Sequence, residues 1–361
     1  MNMTRKLSRV ERIEELTPIE GADAIELARV GGWRVVVQKN LHAVGDLAVY
    51  FEVDSLLPEC PLFEKAAGRD GIKASLDEET GEKVYGYRLK CIRLKGQYSQ
   101  GLVIPQTDMA ELLGSDFDYE TAYVQGTDLT GVLGVKKYEM YVALNANGDA
   151  RGSFPSYIIR TDCTRCQNLK DVIWQAYNDN AQFQVSVKAD GSSCTIWRVG
   201  DDYGVASRNL SLKLDSASNF THVANKIHDS LKDVVDGDYC IQGELLAPNI
   251  QGNFEGVTKP EFYAFTMQNI ADQEHENPLH VYEFCDRYGI NHVPVLHHSV
   301  TLRELYPNAS DANELIDLIV ASADGNSGFN GKFREGLVFK GTTNDLTFKA
   351  IGERYLMKKK D

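Results

Sequence analysis

Residues 143–156 read ALNANGDARGSFPS, a stretch rich in small residues, Asn and Gly with one Pro. Such a stretch reads as a linker or surface loop, so it is expected to divide the chain. With 361 residues, 43% hydrophobic and 25% charged, each part has enough apolar side chain for its own core, and the expected domains are 1–150 and 151–361. Before the divide, short apolar or alternating runs (Trp33 to Val37, Leu47 to Val53, Tyr87 to Leu94, Gly101 to Ile104) are separated by glycines and read as the strands of a small barrel. After it, strand-like runs at Phe183 to Lys188, Cys194 to Arg198, Tyr239 to Leu245, Phe262 to Met267 and Gly336 to Lys340 mix with helix-like segments near Leu169 to Tyr177, Ala224 to Val234 and Ala312 to Ala323. The fold class expected is α+β.

Seven cysteines at scattered positions suggest no disulfide framework. Cys163 and Cys166 form one CxxC with no second pair or nearby His to complete four zinc ligands, so two loop thiols are the expected reading. The N-terminus carries charge too early for a signal peptide and no apolar run approaches a membrane span, so a soluble, cytoplasmic protein is expected. The formal charge is −14, with 17 basic against 24 acidic residues up to 150 and 21 against 28 beyond. This balance excludes indiscriminate polyanion binding. Contact with nucleic acid would have to be local.

One local candidate is the run Val84 to Gln106, which contains no acid and holds Arg88, Lys90, Arg93 and Lys95 among Tyr85, Tyr87 and Tyr98. This mixture of charge and stacking surface suits an oligonucleotide-binding barrel, and it suits equally a solvated edge strand guarded by its charges. Strict alternation sets Arg88 and Lys90 on one face and Arg93 and Lys95 on the other, unless a bulge near Cys91 and Ile92 unites them.

The sharpest chemical feature is Lys188-Ala-Asp-Gly-Ser-Ser193, where a strand-like run ends in a lysine and turns at Gly191. An amine attacks only when unprotonated, so such a lysine needs burial and neighbouring cations to lower its pKa. An exposed lysine before an Asp-Gly turn is the plainer reading of that fragment alone. Five further fragments follow in order: Ser207-Arg208-Asn209, Gly243-Glu244-Leu245, Phe262-Tyr-Ala-Phe265, Glu335-Gly-Leu-Val-Phe-Lys340 and Phe348-Lys349.

The six together resemble motifs I, Ia, III, IIIa, IV and V of the covalent nucleotidyltransferase superfamily of ATP-dependent DNA and RNA ligases and mRNA capping enzymes, over residues 155–361. The resemblance implies a nucleotidyltransferase domain of ATP-grasp-like antiparallel sheets plus helices. It implies that Lys188 attacks the α-phosphate of ATP to form lysyl-AMP, with Lys349 and Arg208 on phosphate oxygens and helping to keep the Lys188 amine neutral. It also implies that Glu335 holds Mg²⁺ or Mn²⁺, that Glu244 contacts the ribose or lies near the metal, and that Phe265 stacks on adenine while Phe262 belongs to the core. Lys340 becomes a further phosphate ligand, Asp190 and Gly191 shape the turn, and Arg165 contacts a 5′-phosphate. The chain departs from the family pattern at Thr266, where many relatives have Asp, and at Ala350, where a second lysine is expected close to Lys349. Lys340, Arg354 or Lys358 is left to supply that charge.

The segments PIEGADAIELARVGGWRVVV, VGDLAVYFEVDSLLP, LKGQYSQGLVIP and GTDLTGVLGVKKYE resemble the N-terminal OB-type domain of nick-sealing RNA ligases. DNA ligases and capping enzymes generally carry an OB domain after motif V, and only twelve residues follow Lys349. The resemblance therefore implies an RNA ligase acting as a monomer on RNA, or an RNA-containing duplex, with a break. A DNA ligase, a GTP-dependent capping-type enzyme and a non-catalytic nucleic-acid-binding relative are the alternatives. Basic residues at Lys358 to Lys360 complete the expected contacts.

Overall fold

A computed structural model describes residues 5–77, 80–139, 149–329 and 333–358. The chain divides into two compact units, 1–143 and 144–361. Residues 143–148 of the glycine-rich stretch, and Lys359 and Lys360, lie outside the described residues.

The first unit contains strands β1 (Ser8–Pro18), β2 (Ile25–Val30), β3 (Trp33–Gln38), β4 (Leu47–Phe51) and β5 (Ser55–Leu57), helix α1 (Pro61–Ala67), strands β6 (Ile72–Leu76), β7 (Lys83–Arg88), β8 (Ile92–Leu94), β9 (Gln97–Ser99) and β10 (Leu102–Pro105), helix α2 (Gln106–Leu113) and strand β11 (Lys136–Lys137). Two sheets result, ordered β10-β4-β1-β2-β3 and β11-β5-β7-β6. β1 belongs to both halves of the first: Ser8 to Arg12 pair with β4, and Ile13 to Pro18 pair with β2 across a register shift at Ile13/Glu15. Such an irregularity bends a strand, and bending lets one sheet curl towards a barrel. Val10, Val49, Phe51, Leu57, Phe63, Met109 and Leu129 fill the space the curl creates.

The run from Tyr87 to Leu94 is not one strand. β7 stops at Arg88 and β8 begins at Ile92, so alternation across the gap has no meaning and no bulge unites the four basic residues. β8 and β9 form a hairpin whose tip, Lys95-Gly96, has positive φ at both positions (47° and 83°), the backbone of a tight two-residue turn.

The second unit contains strands β12 (Ala150–Ser153) and β13 (Thr164–Arg165), helix α3 (Lys170–Asn178), strands β14 (Gln182–Lys188), β15 (Ser192–Val199), β16 (Asp202–Ala206) and β17 (Leu210–Leu212), helix α4 (Asn219–Leu231), strands β18 (Tyr239–Leu246), β19 (Glu261–Asn269) and β20 (Glu274–His275), helix α5 (Pro278–Tyr288), strand β21 (Val295–Thr301), helices α6 (Leu302–Leu305) and α7 (Ala312–Ala323), strands β22 (Gly336–Gly341) and β23 (Thr347–Ile351), and helix α8 (Glu353–Lys358). A seven-stranded sheet runs β12-β17-β16-β15-β18-β19-β20, and a five-stranded sheet runs β13-β23-β22-β14-β21. Each sheet buries one face under helices. Ile241, Leu245, Phe262 and Ala264 pack with α4 and α5, while Phe183, Val185, Phe339, Phe348 and Ala350 pack with α3 and α7. The Ile, Leu, Val and Phe side chains among these contribute about 1.5–3 kcal/mol each when fully buried. Strand residues alternate between faces, so the neighbours of these anchors, Ser186 and Lys188 on β14, Lys340 on β22, Lys349 on β23 and Glu244 on β18, point the other way.

Among the described residues no helix is long and apolar enough to cross a membrane. Cys166 is buried in the core against α3 and α7, and burial pushes its thiol up to about 12.

Candidate active site

Lys188 is the last residue of β14 and pairs in register with Gly336 at the start of β22. Glu335, just before β22, meets it: Lys188 Nζ lies 2.9 Å from Glu335 Oε2. The preceding Arg334 holds Glu335 in place. Its guanidinium donates to the carbonyls of Ser322 (2.5 Å) and Ala323 (3.0 Å), satisfying acceptors that the end of α7 leaves open and favouring a cation at the negative helix end.

After Lys188 the chain turns through Asp190 and Gly191 onto β15. The Gly191 N–H donates to Glu244 Oε1 at 3.1 Å, tying the turn to β18. Gly191 must be glycine: a Cβ there would stand 2.4 Å from the Leu245 carbonyl oxygen and 2.6 Å from Leu246 Cδ2. The Asp190 N–H donates to Glu255 Oε1 at 3.2 Å, and the Tyr355 phenol from α8 lies beside the Asp190 side chain.

Lys349 shares the face of Lys188 and Lys340, and Arg165 pairs with it in register across the parallel β13–β23 ladder. Ala350 is fully buried in the helix-covered core, so a second lysine directly after Lys349 would point away from the cleft. Lys340 is the amine that shares its face. Arg354 lies over the Phe333 ring, 4.4 Å from its centroid, and the Lys358 side chain is outside the described residues. Lys340 reaches across to the Phe265 carbonyl of the other sheet, to which it donates, and its Nζ stands 5.2 Å from the Phe265 ring centroid. The Phe265 ring is half-buried; Phe262 and Thr266 alternate onto the opposite, helix-covered side.

The electrostatics correct one expectation. Burial works to lower the Lys188 amine, but the carboxylates of Glu335, Glu244 and Asp190 outweigh it and hold Lys188 above the ordinary lysine value, hence charged. Lys349 and Arg208 do not keep it neutral. Arg208, exposed on the turn after β16, stands 3.5 Å from the Asp162 carboxylate. Lys349 is itself pushed down to about 8, first by burial and then by the like charge of Lys188. Burial also brings Lys340 down to about 8 and raises the Glu244 and Glu255 carboxyls to about 7.

In the first unit two of the four basic residues are already paired. Arg88 lies 2.8 Å from Asp54 and over the Tyr138 ring, and Lys90 lies 2.7 Å from Asp70. Arg93 is exposed on the hairpin, 5.4 Å from the Tyr98 ring centroid, and Lys95 is exposed at its tip.

Among the described residues no group of three or more His, Cys, Asp and Glu side chains is arranged to enclose a metal ion. The cleft offers instead the carboxylate oxygens of Glu335 and Glu244, a hard donor set suited to a divalent ion that keeps waters and takes phosphate oxygens. Glu255 and Tyr355 are site residues that no sequence motif marks; they reach the turn only through contacts 65 and more residues away in the chain.

The RNA ligase family model matches residues 181–360, and an OB-fold domain model matches residues 7–106. No curated protein matches the chain. Among solved structures, the Naegleria gruberi RNA ligase is similar over nearly its whole length. A mutant of it with AMP and Mn is 33% identical with a TM-score of 0.81, covering 98% of this chain and 99% of that one. The same enzyme with PPi is 33% identical with a TM-score of 0.79 (99% and 100% covered), and a mutant with ATP and Mn is 33% identical with a TM-score of 0.80 (98% and 99% covered). Two units, an OB fold followed by a two-sheet nucleotidyltransferase fold with its lysine at the end of β14, place this chain in the RNA ligase family.

Proposed function

We propose that the chain joins RNA 3′-hydroxyl and 5′-phosphate ends, using ATP and a lysyl-AMP intermediate, at breaks in duplex RNA. The observation that carries the reading is the Lys188–Glu335 pair set among Glu244, Lys349 and Lys340 on facing sheets. In the first transfer the neutral Lys188 amine attacks the α-phosphorus of ATP; a P–N bond forms, the P–O bond to the β-phosphate breaks, pyrophosphate leaves and the amine gives up a proton. In the second, a 5′-phosphate oxygen attacks the same phosphorus and the P–N bond breaks. In the third, a 3′-hydroxyl attacks the adenylylated 5′-phosphorus, loses its proton, and AMP leaves. All three are in-line phosphoryl transfers, which depend on positioning and on compensating negative charge.

Lys349 and Arg165, neighbours on the sheet, supply fixed positive charge on the face of Lys188, and Phe265 offers a half-buried ring for stacking on adenine. Glu335 and Glu244 are the residues that would hold Mg²⁺ or Mn²⁺, an ion that supplies positive charge at the carboxylates and the phosphate oxygens. Glu335 is the foremost of the charges that keep Lys188 protonated. Once that charge is compensated, burial and the nearby Lys349 favour the neutral, nucleophilic amine.

The test is incubation with α-labelled ATP or GTP and Mg²⁺ or Mn²⁺, followed by a comparison of nicked, single-stranded and DNA-containing substrates. Label on the protein from ATP, lost in Lys188→Ala, and sealing of nicked RNA are expected. Label that persists in Lys188→Ala defeats the mechanism, and equal sealing of all-DNA nicks defeats the substrate.

A further inference from the structure

Two side chains outside the six motifs converge on the turn after Lys188. Glu255 lies on the loop between β18 and β19 and is 1% exposed, a costly place for a carboxyl group with Asp190 and Glu335 nearby. One of its oxygens accepts the Asp190 N–H, and Ser327, itself fully buried, lies beside its carboxyl. From the other side Tyr355, 3% exposed on α8, brings its phenol beside the Asp190 side chain. The two are joined at the back: the ring of Phe254, next to Glu255, meets Tyr355 edge-on at 5.3 Å and Phe333 at 5.3 Å, in one apolar cluster with Ile351 and Leu356.

We propose that Glu255 and Tyr355 are positioning residues that clamp Asp190 between them and thereby fix the aim of the Lys188 amine at the α-phosphate. The inference rests on the lysyl-AMP reading above and extends it to residues that touch neither ATP nor RNA. With Glu244 holding the Gly191 N–H, two consecutive N–H groups of the turn are fastened, those of Asp190 and Gly191. Ala189, just before them, is packed against Leu246 and Val293. Lys188 is thus held on one side by the β14–β22 ladder and on the other by this fastened turn. A buried hydrophobic residue in place of Glu255 would fill its space but leave the Asp190 N–H without an acceptor. Loss of about 1 Å of alignment at a reacting group slows a reaction by about 10²-fold.

The experiment measures two reactions on the full chain: single-turnover lysyl-AMP formation, and joining of an RNA end adenylylated beforehand, which does not use Lys188 as nucleophile. Glu255→Ala should slow lysyl-AMP formation by about 10²-fold with little change in KM for ATP, and should spare the joining of the adenylylated end. Glu255→Gln, which keeps an oxygen for the Asp190 N–H, should recover most of the loss. Tyr355→Phe, which removes one oxygen and leaves the ring, should slow the first reaction by about tenfold. The clamp is refuted by a wild-type rate of lysyl-AMP formation in Glu255→Ala, by a loss that falls equally on both reactions, or by a glutamine variant no better than alanine. If Glu255→Ala does not fold, Tyr355→Phe decides alone, since an unchanged lysyl-AMP rate there rejects the clamp. Failure of the unaltered protein to form lysyl-AMP would overturn the parent reading instead.

Discussion

Both units bury charge, and they treat it differently. In the first, the fully buried Glu52 lies 2.5 Å from Arg5 and 3.7 Å from Arg9, and Arg9 meets Glu11 at 2.6 Å while its guanidinium covers the Tyr50 ring. Every charge in that chain of contacts faces one of opposite sign. In the second, the amines of Lys340 and Lys349 are pushed down to about 8, the carboxyls of Glu244 and Glu255 are pushed up to about 7, and Lys188 is held charged by more carboxylate than it needs. Matched buried charge serves as scaffold. Mismatched buried charge marks a site whose balance is completed by what binds there.

The hardest test of the contrast is Lys188→Ala, which should reduce protein labelling from α-labelled ATP to background, a loss on the order of 10⁶-fold when a nucleophile is removed. Next is Glu52→Ala in the first unit. Removing the acid leaves two arginines without it, and denaturant unfolding should show about 3–5 kcal/mol lost. A cost near zero would mean that the matched set is no scaffold.

A third test uses pH. Below about 8 Lys349 is charged, and the neutral fraction of Lys188 rises tenfold per pH unit, so the rate of lysyl-AMP formation should climb with unit slope. Above about 8 Lys349 loses its charge at the rate Lys188 gains neutrality, and the profile should level. In Lys349→Arg, whose charge persists, the climb should continue past pH 8. Lys349→Met should likewise abolish the turn in that profile, at a lower rate throughout because the charge is gone, yet raise stability at pH 7 by about 1 kcal/mol, because an amine that burial disfavours is replaced by an apolar chain. The smallest effect belongs to the hairpin. Arg93→Ala should lower the slope of log K for RNA against log salt by about one, and Arg88→Ala, paired with Asp54, should change it less.

Much of the architecture was legible in the chain itself, for reasons visible in particular elements. β14, β18 and β19 carry unbroken or alternating apolar residues, and their anchors are buried by local helices. The motif fragments led to Lys188, Glu244, Lys340 and Lys349 because strand alternation turns each of them away from the helix-covered face, whereas Arg208 lies exposed on a turn. β1 escaped notice since its buried positions include Arg9, whose charge is met by Glu11 two residues on and by the distant Glu52. α5 had signals that could have found it: Asn277 caps its start, Pro278 follows and Gly289 ends it in the left-handed region. The pairing of Arg88 with Asp54 and of Glu255 with the Asp190 N–H joins residues 34 and 65 apart, and no local pattern encodes either.

The position of β23 has a consequence for how the protein is made. It is an inner strand, hydrogen-bonded to β22 on one side and, in parallel, to β13 on the other, with Arg165 beside Lys349. The five-stranded sheet therefore stays open along that line until a ribosome has synthesised residues 347–351 and the late strand has slid between partners, one of them made nearly two hundred residues earlier. Pairings of such long sequence separation are slow to form. Through most of synthesis the nascent chain holds Lys188 without Lys349 or Arg165 in place, so the ability to take up an adenylyl group should switch on late and all at once, as the last strand docks.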